Sequence, residues 1–168
     1  MKNTVLKYGG YGLLTAIVLF MLALWLGKGL DFSTQEILGY ATMVASLSFI
    51  FFGLKHYRDK ENNGVLSLSK ALVIGVLISV FVGLGIGIAD YIYTTVINPD
   101  FAQEFLDTSL KTMKETLSAE EFKAEKAKLT QQMEDYGGSG FLAFIMFMTV
   151  VLIGFVISLI SGFILQRK

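Results

Sequence analysis

The fold class this sequence predicts is all-α: a polytopic integral membrane protein with four transmembrane helices and an amphipathic helical insertion between spans three and four. Three observations carry the prediction. They are four long runs without charge, a strongly apolar composition, and an acidic stretch of helical pattern confined to one connection. Twenty residues without charge separate Lys7 from Lys28, and 18 separate Glu36 from Lys55. Nineteen separate Lys70 from Asp90, and 31 separate Asp135 from Arg167. A bilayer's hydrocarbon core of ~30 Å needs ~20 mostly apolar helical residues, so each run can cross it. The spans fall at about residues 8–27, 37–54, 71–97 and 140–165, in a single four-span membrane domain over 1–168.

Composition agrees. Hydrophobic residues make up 54% and charged residues 17%, against ~25% charged in an ordinary soluble protein. Fourteen Phe and seven Met suit lipid-facing and interhelical packing, and 17 Gly against one Pro favours close helix contact. The formal net charge is zero, so bulk charge does not point to nucleic acid or an acidic substrate, and no nucleic-acid partner is expected. The absence of Cys excludes disulfides, thiol catalysis and cysteinate metal sites. His56 is the only histidine, and there is no HExxH or paired-carboxylate motif, so no metal or other cofactor is expected.

The first span follows Lys2 and Lys7 as a secretory signal would. Yet Ala23-Leu24-Trp25 places a Trp where cleavage needs small residues, so the span is expected to be retained. Orientation follows Lys and Arg near the span ends. Lys2 and Lys7, then Lys55, Arg58, Lys60 and Lys70, then Arg167 and Lys168 all fall on one side, against Lys28 alone in the first connection. Both termini are therefore expected in the cytoplasm. The long third connection, with five Lys and nine Asp or Glu, is expected outside over about residues 98–139. Tyr and Trp near the run ends (Tyr8, Tyr11, Trp25, Tyr40, Tyr57, Tyr91, Tyr93 and Tyr136) suit the two interfaces.

Within that connection Asn98-Pro99-Asp100 has the chemistry of a helix start, with Asn98 free to accept from backbone N–H groups. Phe101, Phe105, Leu110, Met113 and Leu117 then recur at helical spacing. Ser118 followed by Glu121 forms a capping-box pattern ahead of Phe122, Leu129, Met133 and Tyr136. Gly137-Gly138-Ser139-Gly140 ends the segment. Two helices, or one bent at 117–118, are predicted, with Phe101, Phe105, Leu117 and Phe122 buried on the membrane surface or the bundle.

Small residues occupy every fourth position of the third span: Ala71, Gly75, Ser79, Gly83 and Gly87. Gly154, Ser158 and Gly162 form a shorter stripe in the fourth. Such stripes let helix backbones approach closely, packing spans three and four together or making a homo-oligomer contact. Each step of four advances ~40° around a helix, so only about three positions can face one straight partner. Gly83-Leu84-Gly85-Ile86-Gly87 mimics a dinucleotide loop but lacks the preceding strand and has its third Gly one residue early; it is rejected.

Asp90 is the ionisable residue that interrupts the end of the third span. Twenty residues from Lys70 can carry it to the outer headgroups beside Tyr91 and Tyr93, where it would be solvated. Turned into the bundle instead, it would suggest a proton or cation path. The inner loop, Lys55 to Gly64, is the densest polar patch of the cytoplasmic side. Its basic residues explain the orientation and attract anionic headgroups. Arg58 and Asp59 are candidates for specific binding of a headgroup or protein, and Asn63-Gly64 is a strong turn signal.

Phe51-Phe52-Gly53-Leu54-Lys55-His56-Tyr57-Arg58-Asp59-Lys60, followed by Gly64 and Lys70-Ala71-Leu72, resembles the signature of a family of small bacterial four-span proteins. That family is catalogued as domain of unknown function 4199. The likeness extends over nearly the whole chain, including Ile37-Leu38-Gly39-Tyr40. It implies a four-helix membrane fold and supplies no catalytic residues. A non-enzymatic binding or scaffolding component of the bacterial inner membrane is the leading expectation, in contact with the bilayer and with a second copy or another membrane protein. A small transporter or channel using Asp90 is the second. A membrane enzyme, needing His56, Arg58 and Asp59 gathered around a headgroup, is the third.

Overall fold

The computed structural model describes residues 1–27 and 29–167, with only the backbone of Phe32. Lys28 and Lys168, both used in the orientation argument, lie outside the described residues. The chain forms α1 (Lys2–Leu26), α2 (Phe32–Leu47), α3 (Phe49–His56), a π-helical turn (Tyr57–Glu61) and α4 (Leu68–Ile92). A second π-helical turn (Tyr93–Ile97), α5 (Phe101–Thr116), α6 (Ala119–Tyr136) and α7 (Ser139–Leu165) follow. There is no strand among the described residues, only one isolated bridge between Leu66 and Arg167. Four segments are long and apolar enough to cross a membrane: Lys2–Leu26, Ser33–Glu61, Leu68–Ile97 and Ser139–Leu165. They extend past the uncharged runs because Lys and Arg can lie along a helix end with their charged heads in water.

The chain divides into two compact units, Met1–Ala89 with Ile145–Lys168, and Asp90–Phe144. In the first, α4 is the central element. Half of its most apolar stretch (50%) is buried, against 22% for α1 and 17% for α7. Ile74, Ile78, Val82 and Ile86, four residues apart, are fully buried along one of its faces. That face meets α1 and α3 where glycines remove side chains: Gly12 opposite Val82, Gly9 opposite the Phe81 ring, and Gly53 opposite Ile78. A Cβ at Gly85 would stand 2.7 Å from the Leu13 carbonyl oxygen, so α4 and α1 touch there backbone to backbone.

The other face of α4 meets α7 in an antiparallel ladder, each step of four on one helix answered by four back on the other. A Cβ at Gly162 would lie 3.0 Å from the Ala71 Cβ, and one at Gly75 would lie 2.6 Å from the Ser158 Cβ. One at Gly154 would overlap the Ser79 Cβ, with its Oγ 2.8 Å away. The two middle rungs are reciprocal, a serine of each helix seated on a glycine of the other. Both hydroxyls are satisfied within their own helices, Ser79 donating to the Val76 carbonyl at 2.8 Å and Ser158 to the Gly154 carbonyl at 2.5 Å. No polar atom is left bare at the contact, which is what an apolar environment requires.

Four positions of the stripe, not three, thus meet α7, because the contact changes character along the ladder. By Gly83 the stripe has turned ~120° from Ala71, and the gap is filled by Phe147, whose ring would be 2.9 Å from a Cβ there. Gly87 is half-buried on α4, and the close approach to α1 is made by Gly85.

The second span is interrupted at Ser48, between α2 and α3. Thr42, Ser46 and Ser48 all turn their hydroxyls back onto carbonyls three or four residues earlier, a pattern that bends helices. At its start Asp31 caps α2, accepting from the Thr34 amide at 2.9 Å and the Thr34 hydroxyl at 2.7 Å.

In the second unit, α5 and α6 contact one another and meet at Leu117-Ser118. The capping box is formed: the Ser118 hydroxyl accepts from the Glu121 amide, and Glu121 accepts from the Ser118 amide at 3.1 Å. Asn98 behaves differently from its sequence reading. Its side chain donates to Glu104 at 2.9 Å, and Asp100 holds the cap position without a side-chain bond. Its carbonyl accepts from the Phe101 amide instead, so the turn is built by backbone. The expected burial of Phe101, Phe105, Leu117 and Phe122 is also not found within the protein. No residue of α5 or α6 is buried, and Phe101 rests half-covered edge-on to Tyr93, ring centroids 5.8 Å apart.

Two predictions follow from this packing. Gly75→Ala and Gly154→Ala must each force α4 and α7 apart, since the opposing serine Cβ cannot rotate away. Each should destabilise the solubilised protein by about 1–3 kcal/mol, with Gly10→Ala, where nothing lies within 4 Å, as the silent control in thermal unfolding. The Ser118 hydroxyl, and then its backbone amide, hold the Glu121 carboxyl below its ordinary value. Its contribution to the start of α6 is therefore complete above the ordinary carboxylate range and lost as pH falls through the lower folded value. Amide exchange at residues 118–121 should accelerate over that interval in the wild type, and Glu121→Gln should flatten the response.

Candidate functional site

The polar loop between the second and third spans is built by the π-helical turn Tyr57–Glu61 and a tight reversal. The Val65 amide donates to the Asn62 carbonyl at 2.9 Å, and the two residues between, Asn63 (φ 51°) and Gly64 (φ 83°), are both left-handed. A type I′ turn needs that pair of conformations, and Asn-Gly supplies it at least cost. The Gly64 amide reaches back to the Arg58 carbonyl at 2.7 Å, closing the end of the helix.

Three contacts then tie this loop to both ends of the chain. Arg58 is 8% exposed. Its Nε donates to Asp59 Oδ1 at 2.6 Å and its Nη2 to Oδ2 at 3.1 Å. Its Nη1 donates to the Leu165 carbonyl at 3.4 Å. Leu165 is the last residue of α7, whose terminal carbonyls have no intrahelical donor and carry the negative end of the helix dipole; a guanidinium answers both needs. Glu61 accepts from the Thr4 hydroxyl at 2.7 Å and from the Met1 amine. Leu66 and Arg167 exchange both backbone hydrogen bonds at 3.0 Å.

Arg58 and Asp59 are therefore brought together, but chiefly with one another. Each nitrogen of the guanidinium has a partner within the protein, and both Asp59 oxygens accept from it. His56 lies against the Tyr8 ring, centroids 5.4 Å apart. Thr4, Glu61, Leu66 and the Leu165 carbonyl were not singled out in the sequence. No local signal marks them, since Thr4 and Glu61 are 57 positions apart and a carbonyl has no residue identity.

Asp90 lies on α4. Within the protein it is buried and not solvated, 8% exposed, and Tyr93 and Thr94 beside it are 6% and 5% exposed. The helical chain runs on past it through the π-helical turn to Ile97. The Thr94 hydroxyl donates to the Asp90 carbonyl at 2.9 Å. The carboxylate Oδ2 is buried without a hydrogen-bond partner among the described residues. A buried polar atom left unpaired is costly, and π-helical segments recur where function has been built into helices.

Among the described residues no group of three or more His, Cys, Asp or Glu is placed to hold a metal. A concavity along α6, lined by Lys123, Lys126, Ala127, Thr130, Gln131, Glu134 and Asp135, is open and built by one helix, so it encloses nothing.

No curated protein and no solved structure matches the chain. The family model described as Protein of unknown function (DUF4199) matches residues 7–167, taking in most of the first apolar segment, the other three, the polar loop with its Arg58–Asp59 pair, and Asp90. On that coverage the chain belongs to the DUF4199 family.

Proposed function

We propose that this protein is a non-enzymatic binding or scaffolding component of the bacterial inner membrane, with both termini in the cytoplasm and residues 98–139 outside. One observation carries the reading. Arg58, Asp59 and Glu61 of the polar loop are engaged within the protein, whereas α5 and α6 keep no residue buried and offer two helices of mixed charge to a partner. The charge count over Lys2, Lys7, Lys55, Arg58, Lys60, Lys70 and Arg167 supports the orientation. The partner is another membrane or periplasmic protein, or a second copy.

The test is a photo-crosslinking residue introduced in intact cells at Lys111 or Gln131, both exposed, with the exposed apolar position Leu14 as control. A discrete protein adduct from α5 or α6 that is absent from Leu14 is expected. Adducts indistinguishable from those at Leu14 would remove the helices as an interaction surface.

A second reading is favoured by the buried, unpaired Oδ2 of Asp90. An ionisable group within a membrane-spanning segment is a default mark of ion or proton handling, and the protein would then be a small transporter or channel subunit. Asp90→Asn should abolish proton or cation flux into liposomes carrying the wild-type protein. Flux unchanged by the substitution would end this reading.

A further inference from the structure

At the end of the first unit where α1 begins, α4 begins and α7 ends, positive charge exceeds negative. Lys2, Lys7, Lys55, Lys60, Lys70 and Arg167 are all exposed there. The nearby acids are Asp59 and Glu61, and both are engaged: Asp59 by Arg58, Glu61 by Thr4 and the Met1 amine. None of the six exposed cations forms an ion pair among the described residues. The Lys70 ammonium lies 6.0 Å from the Tyr57 ring centroid, and the Lys7 ammonium 5.7 Å from that of Tyr8, contacts that orient a cation without neutralising it.

The loop that carries these residues is held in place. The left-handed Asn63–Gly64 reversal, the Arg58 bond to the Leu165 carbonyl, the Thr4–Glu61 bond and the Leu66–Arg167 bridge join three apolar segments' ends into one surface. A fixed surface loses little freedom on binding, which favours affinity. The exposed side chains directly along these helices are apolar, Leu6 at 50%, Phe52 at 53%, Val73 at 49% and Ile164 at 65%. Asp59 offsets Lys55 and Arg167 only in part, since Arg58 is its main partner, and an apolar belt topped by this excess of cations matches a layer whose tails are hydrocarbon and whose heads are anionic.

We propose that this clasped end is a docking surface for anionic phospholipid headgroups, with Lys60, Lys70 and Arg167 as its principal contacts. The binding residues are the free cations around the clasp, whereas Arg58 and Asp59 position the loop. The inference is independent of the partner assigned to α5 and α6.

The test uses the full chain in an uncharged detergent, titrated with short-chain phosphatidylglycerol, short-chain phosphatidylcholine or inorganic phosphate, with the thermal midpoint as readout. A ligand that binds only the folded state raises that midpoint. Phosphatidylglycerol should raise it well beyond phosphatidylcholine, and high salt should abolish most of the difference by screening exposed charges. The combined Lys60→Gln, Lys70→Gln and Arg167→Gln variant should keep its midpoint in detergent alone and need about a hundredfold more phosphatidylglycerol for half the shift, as expected when three headgroup charges go unanswered. Equal responses to the two lipids, a preference that survives high salt, or a triple variant that responds as the wild type would each overturn the proposal. Inorganic phosphate reproducing the full shift would also overturn it, by showing a soluble anion site instead of a lipid surface.

Discussion

Close approach of backbones along α4 is the constraint on which the first unit depends. In lipid, apolar side chains gain nothing by leaving hydrocarbon for one another, so helix association rests on van der Waals contact. That attraction falls off within a fraction of an ångström of gap. The Gly75–Ser158 and Ser79–Gly154 rungs bring α4 and α7 close enough to use it, and Gly9, Gly12, Gly53 and Gly85 do the same between α4, α1 and α3. The large residues then fill what remains: Ile74, Ile78, Val82 and Ile86 are fully buried because the glycines let their neighbours close over them. Small residues set the distances, and branched aliphatic ones exploit them.

That arrangement decides what the polar loop does. With α1, α3, α4 and α7 held together, the start of α1, the Tyr57–Glu61 turn and the end of α7 come within hydrogen-bonding reach. Arg58 meets the bare carbonyl of Leu165, and Thr4 meets Glu61. A loop that composition alone would leave as a solvated, topogenic connector becomes a fastening between chain ends far apart in sequence. Its acids are answered internally, and its surplus of Lys faces outward. Structure and electrostatics are thus divided between two sets of residues in one short segment.

Asp90 stands apart from this economy of satisfied groups. The buried hydroxyls of Ser46, Ser79, Thr94 and Ser158 each bond a carbonyl three or four residues earlier, and that of Thr4 bonds Glu61. The Asp90 Oδ2 has no such arrangement. Among the described residues it is the one buried side-chain oxygen left unanswered, and the transport reading is attached to it for that reason.

The sequence by itself determined the fold class, because the physics behind it is local. Uncharged runs of 18 to 31 residues have one outcome in a bilayer, and Ser118 with Glu121, or Asn63 with Gly64, make their caps and turns from neighbours alone. It also marked the glycine and serine stripes, but not which helix each would meet, since periodicity reveals a face and never its partner. The tertiary structure decided the rest. It turned Arg58 inward to Leu165, paired Glu61 with Thr4, made Gly85 the near contact to α1, and buried Asp90. Each of those outcomes depends on groups distant in sequence, or on where a helix stops, and neither is encoded in the identity of the residue concerned.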